Sequence, residues 1–179
     1  APRAVTEPAD SRTRCPWAAA GSELMREYHD REWGRPLHGR TELFERISLE
    51  AFQSGLSWSV ILRKRTDFRR AFDGFDVDTV AAYTDVDVER LMADSGIVRN
   101  RAKIEATIAN ARAVVGLDTD LPGLLWSFAP PPRPRPASAE DVPSQTPESV
   151  ALARELRPTV PFRPVGMVRP SRIAPLTQL

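Results

Sequence analysis

The chain has 179 residues, enough for one domain of ordinary size with extensions, and its 41% hydrophobic content can fill a core. A formal net charge of +1 excludes a broadly polycationic nucleic-acid binder, so any basic surface has to be local. A single cysteine, Cys15, excludes an intrachain disulfide, and no apolar run approaches the roughly 18 residues of a membrane span, so a cytoplasmic protein outside the membrane is expected.

Residues 1–13 carry no apolar segment and read as a disordered extension. Residues 14–40 then concentrate Cys15, Trp17, Tyr28, His29, Trp33 and His38 in a segment too polar for a core helix. Aromatics presented this way suit a binding surface. The run Glu27 to Gly34 starts on a short helix and leaves it near Gly34. Cys15 and His29 could ligate zinc, but a structural site normally needs four protein ligands. The other reading is a buried thiol beside a hydrogen-bonded imidazole.

A helix is predicted over 41–54 and a second over 57–72, the latter with Trp58, Ile61, Leu62, Phe68 and Phe72 on one side and Ser57 as N-cap. At about 100° per residue, Leu43, Ile47 and Glu50 share a stripe, so Glu50 points with the core face. A carboxylate there needs a partner. Beside the plane of Trp58 it could grip a flat polar ligand such as a nucleobase; an Arg-paired structural Glu is the alternative. The basic runs Arg63-Lys64-Arg65 and Arg69-Arg70 read as a solvated face.

Two short helices with acidic starts follow, Asp76 to Tyr83 and Asp87 to Asp94, the second closed by Ser95-Gly96. A further helix then places Ile104, Ile108, Ala111 and Val115 at helical spacing. Helix, Gly-containing turn and a helix with a basic first turn make a helix-hairpin-helix plan. Its use is phosphate capture by turn N–H groups and adjacent cations, here Gly96, Arg99, Arg101 and Lys103. An ordinary antiparallel helix pair is the other reading. Leu121 to Phe128 forms another short helix. Most of the 17 prolines lie from Pro130 onward, and Pro130 to Pro136 reads as extended polyproline-like chain within a proline-rich loop over 129–146. A last helix runs from Pro147 to about Arg157 with Thr146 as cap. No strand alternation is present, so the fold class is all-α.

Five segments together resemble the bacterial DNA-3-methyladenine glycosylase I family of the helix-hairpin-helix glycosylase superfamily. They are Arg14-Cys15-Pro16-Trp17, Tyr28-His29-Asp30-Arg31-Glu32-Trp33-Gly34, Leu43-Phe44-Glu45, Leu49 to Trp58, and Gly96 to Ile104, with Leu125-Trp126-Ser127-Phe128 in support. The resemblance covers residues 14–157, taken as the glycosylase domain. It implies a monomeric enzyme that flips 3-methyladenine out of alkylated double-stranded DNA and hydrolyses its N-glycosidic bond. It implies Glu50 as the pocket acid, Trp58 as stacking partner, Tyr28 and Trp17 as further walls, and Gln53 and Trp33 as support. Lys64 and Lys103 are the only lysines, which favours a monofunctional hydrolase over Schiff-base chemistry. The family carries a structural zinc. Cys15 and His29 match its first two ligands, yet no His or Cys follows His38 in this sequence, so the site is expected to be incomplete or absent. Residues 158–179 read as a divergent, disordered tail, as a change of reading frame after about residue 157 would produce. A catalytically weak or inactive damage-binding remnant is the alternative function.

Overall fold

The computed structural model describes residues 12–131, 143 and 145–159, and every regular element among them is helical. The chain divides into two compact units, residues 1–33 and 34–179. The extension expected over 1–13 and the tail expected over 158–179 lie outside the described residues at 1–11 and 160–179, as does most of the polyproline run at 132–142. No helix among the described residues is long and apolar enough to cross a membrane.

The N-terminal unit holds α1 (Pro16–Ala19) and α2 (Glu23–Arg31). Pro16 suits the first helical position because its missing N–H would have had no partner there. Ser22 caps α2, its Oγ accepting from the Met25 N–H at 3.4 Å. The chain then leaves the helix through Gly34, whose φ of 72° lies in the left-handed region that glycine tolerates.

The second unit holds α3 (Arg40–Gln53), α4 (Trp58–Ala71), a 3-10 turn (Asp73–Phe75), α5 (Val77–Ala81), α6 (Asp85–Ala93), α7 (Arg101–Val115), α8 (Leu121–Trp126) and α9 (Pro147–Thr159). Helix α7 packs on α5, α6 and α3, and α3 also packs on α4 and α8. Phe44, Phe52, Phe68, Phe72 and Phe75 fill the core, joined by Ile104 of α7 and Leu152 of α9. The start of α5 is capped by Asp76 through the Thr79 N–H at 2.9 Å, and that of α7 by Asn100 through the Lys103 N–H at 3.1 Å. Thr146 caps α9 as expected, its Oγ1 accepting from the Ser149 N–H at 3.2 Å.

Several expectations need correction. Helix α9 continues to Thr159, past Arg157 and through Pro158. Val115 is 49% exposed, and Val114 takes the buried position instead. Ser57 occupies the N-cap position of α4, but its Oγ faces Ser59 Oγ at 3.5 Å and caps no helical N–H. The basic residues of α4 do more than meet water. Lys64 Nζ donates to the carbonyls of Ser95 and Gly96 at 3.1 and 2.9 Å, while Arg69 pairs with Glu45 and Arg70 with Asp94.

Candidate active site

In the N-terminal unit, Arg14, His29 and Asp30 form one hydrogen-bonded set. Arg14 binds Asp30 in a fork, Nε to Oδ1 at 2.9 Å and Nη2 to Oδ2 at 2.6 Å, and His29 Nδ1 lies 3.0 Å from Asp30 Oδ1. The Arg14 hydrogen bonds first, then that of His29, hold the Asp30 carboxyl far below its ordinary value of 3.8. A lowered folded-state pKa means stability that is complete above the unfolded value and lost as pH falls through the folded one. Asp30→Asn is therefore expected to lower the melting temperature near neutral pH. The gap to wild type should persist down to about pH 4 and narrow only below it, as read by melts across that range.

This set fixes His29 within an aromatic cluster. His29 stacks on Trp33 with ring centroids 5.5 Å apart, and Trp17 meets His29 and Trp33 edge-on at 5.2 and 5.7 Å. Tyr28 lies 6.4 Å from Trp17. Trp17 and Tyr28, expected as pocket walls, and Trp33, expected as support, are thus brought together in this unit, and Trp17 keeps 38% of its surface exposed.

In the second unit, the turn from α3 to α4 carries Glu50, Gln53 and Trp58. The buried line of α3 runs Phe44, Ser48, Phe52, with Leu43 and Leu49 beside it. Glu50 was expected on the core face; it sits off that line, half-buried, as do Ile47 and Gln53. The helix is rolled because its aromatic positions meet Phe68, Phe72 and Phe75. Gly55, at φ 81°, reverses the chain, and a side chain there would be strained although it would meet no atom within 4 Å. Trp58 is the first residue of α4 and half-buried, and the Arg46 guanidinium lies 5.7 Å from its ring centroid.

The hairpin between α6 and α7 differs from expectation at two of its four residues. The Gly96 N–H is not offered outward: it donates to Asp94 Oδ1 at 2.7 Å. Lys103 is 7% exposed and turns inward, its Nζ donating to the carbonyls of Phe52 and Ser54 at 2.9 and 2.6 Å. The cation belongs to the end of α3, where orphan carbonyls attract it, and not to a phosphate-facing surface. Arg99 and Arg101 do lie on the surface, Arg101 paired with Glu89 at 2.6 Å.

The zinc ligands can be tested against their surroundings. His29 Nε2 accepts the backbone N–H of Cys15 at 3.3 Å, and Nδ1 faces Asp30. Cys15 is a half-buried thiol. No group of three or more metal-binding side chains occurs among the described residues, so these supply two donors where tetrahedral zinc needs four. The donor set does not fit the metal.

Arg14 and Asp30 were quoted only within motifs, Lys64 was read as solvated and Asp94 only as a helix end, and sequence reasoning assigned none of them these bonds. Their partners are distant in sequence or lie on turns, and neither periodicity nor spacing signals such bonds. His38 gains a place too: it stacks on Trp126 at 4.7 Å, and Trp126 Nε1 donates to the Leu37 carbonyl at 2.8 Å.

The model of the methyladenine glycosylase family matches residues 17–169. The chain belongs to that family. A DNA-3-methyladenine glycosylase of Haemophilus influenzae is 39% identical over 150 residues, covering 81% of this chain and 80% of the relative. A crystal structure of a 3-methyladenine DNA glycosylase I superposes with a TM-score of 0.83 at 38% identity, covering 93% of this chain and 92% of the other. A glycosylase I variant solved in complex with 3-methyladenine gives 0.80 at 27% identity, covering 89% and 88%. The helical glycosylase fold is thus that of the family. The match passes residue 157, where the motif resemblance was expected to end, and takes in Phe162 to Gly166. The alternative of an inactive remnant gains no support from these relatives.

Proposed function

We propose that this glycosylase excises 3-methyladenine from alkylated double-stranded DNA, as a cytoplasmic monomer and without a lyase step. The observation that carries the reading is the α3–α4 turn, where a half-buried carboxylate, Glu50, and an indole, Trp58, flank one glycine reversal. A base methylated at N3 is cationic. A carboxylate accepting from its exocyclic amine and an aromatic face both favour that cation over ordinary adenine. In the reaction the bond from C1′ to N9 breaks and its electron pair neutralises the departing base. The oxygen of water bonds to C1′, and the water proton passes to solvent. The leaving group already carries a positive charge, so the protein has mainly to bind, orient and select.

Gln53 supports the base edge beside Glu50, and within the N-terminal unit Trp17, Tyr28 and Trp33 group ring faces of the kind on which bases stack. Arg99 and Arg101 serve the DNA backbone from the hairpin surface. Both lysines direct their ammonium groups at backbone carbonyls, which favours hydrolysis by water over attack by an amine.

The test is release of free base from methylated duplex. Release of 3-methyladenine, leaving an unbroken abasic strand, is the expected result. Tight binding of damaged duplex without release would overturn it. Zinc is not required in this reading, since Arg14 and Asp30 already organise His29. Metal analysis should find well under one zinc per chain, with an unchanged melt in chelator; stoichiometric zinc would refute this.

A further inference from the structure

Lys103 opens α7, yet its side chain serves another element. Its backbone is held at both ends, the N–H by Asn100 Oδ1 at 3.1 Å and the carbonyl by Thr107 Oγ1 at 2.9 Å. From that base the buried side chain reaches the Phe52 and Ser54 carbonyls. Phe52 belongs to the last turn of α3 and Ser54 is its C-cap, so both carbonyls are among those a helix end leaves without intrahelical donors. The neighbouring backbone is committed elsewhere: Ser54 N–H to the Ala51 carbonyl at 3.2 Å, and Leu56 N–H to that of Gln53 at 2.6 Å. The ammonium therefore ties both sides of Gln53 to α7, just before the reversal at Gly55. A buried cation is tolerated there because the negative end of the α3 dipole and two carbonyls meet it.

We infer that Lys103 is a positioning residue for base recognition: from the hairpin helix it sets the α3–α4 turn, and with it the spacing of Glu50, Gln53 and Trp58. The inference rests on the function proposed above. Its bonds act on the main chain that carries those three side chains. A displacement of about 1 Å in a recognition group can cost about 10²-fold in rate.

The experiment compares wild type with Lys103→Met and Lys103→Arg in three measurements. These are binding of free 3-methyladenine by tryptophan fluorescence, affinity for undamaged duplex across salt concentrations, and single-turnover release from methylated duplex. Lys103→Met should bind the free base about 10-fold more weakly and release it about 10²-fold more slowly. Its affinity for undamaged duplex should stay within about twofold, with the same salt slope. Lys103→Arg, which keeps the charge but has a planar fork, should recover only part of the base affinity. Unchanged base affinity in Lys103→Met would overturn the inference. So would a loss of duplex affinity with a salt slope smaller by about one, which would place Lys103 on a phosphate. If Lys103→Met does not fold, Lys103→Arg decides: weakened base binding with intact duplex binding supports the inference, and wild-type base binding overturns it. A wild-type protein that fails to bind 3-methyladenine would overturn the proposed function, and this inference with it.

Discussion

Glu50→Gln is expected to lower kcat/KM for release of 3-methyladenine from methylated duplex by about 10²-fold. The substitution keeps the shape of the side chain and removes its charge. The buried line of α3 through Phe44, Ser48 and Phe52 does not include position 50, so the apolar packing of α3 should persist. On the proposed function, what is lost is a charge-assisted acceptor for a cationic base, replaced by an amide that presents its own donors as well. Single-turnover release beside a thermal melt separates the two effects. A variant within about threefold of wild type would remove Glu50 from recognition, and one that melts early would make it a structural acid.

Phe52→Ala carries the largest expected effect on stability, about 3–5 kcal/mol. Phe52 is fully buried, 4.7 Å by ring centroid from Phe68 and 5.9 Å from Phe72. Phe72 in turn stacks on Phe75 at 5.3 Å. Truncation opens a cavity in the middle of that set, and the neighbouring rings, themselves fixed by Phe44 and Tyr83, have little room to collapse into it. Against a typical total of about 5–15 kcal/mol the loss is a large fraction. Urea unfolding should show a lower midpoint with an unchanged slope. A loss below about 1 kcal/mol would show that the cluster is not the structural centre of the second unit. Base release should fall as well, since Phe52 anchors the turn that carries Gln53 and Trp58.

The two predictions separate two roles that one short stretch combines. Leu49 to Trp58 alternates residues that hold the turn, Leu49, Phe52 and Gly55, with residues that the turn displays, Glu50, Gln53 and Trp58. The stretch stood out because an acid falls near an apolar stripe beside an indole, and its reading as a base-gripping site came from the resemblance to the glycosylase family. Glu50 is half-buried, like Ile47, beside the fully buried line of α3. A stripe drawn through Leu43 and Ile47 treats all apolar residues alike, whereas the helix rolls toward the positions that face three phenylalanines. The same limit applies to Lys103. A lysine in the first turn of a hairpin helix suggests phosphate, and nothing local indicates a carbonyl 51 positions away.

In the sequence alone, the motifs carried the resemblance to the glycosylase family, while local pattern determined the helical class, the helix exit near Gly34 and the cap at Thr146. These follow from local chemistry: periodicity, φ tolerance and capping act over a few residues and are written contiguously. Only the tertiary structure decided the roll of α3, the partners of Asp30, the inward course of Lys103 and the closure of the Gly96 N–H by Asp94. Each depends on a distance between side chain and neighbour that spacing does not encode. Buried or helix-end polar groups must find partners, and which donor reaches them is settled by packing.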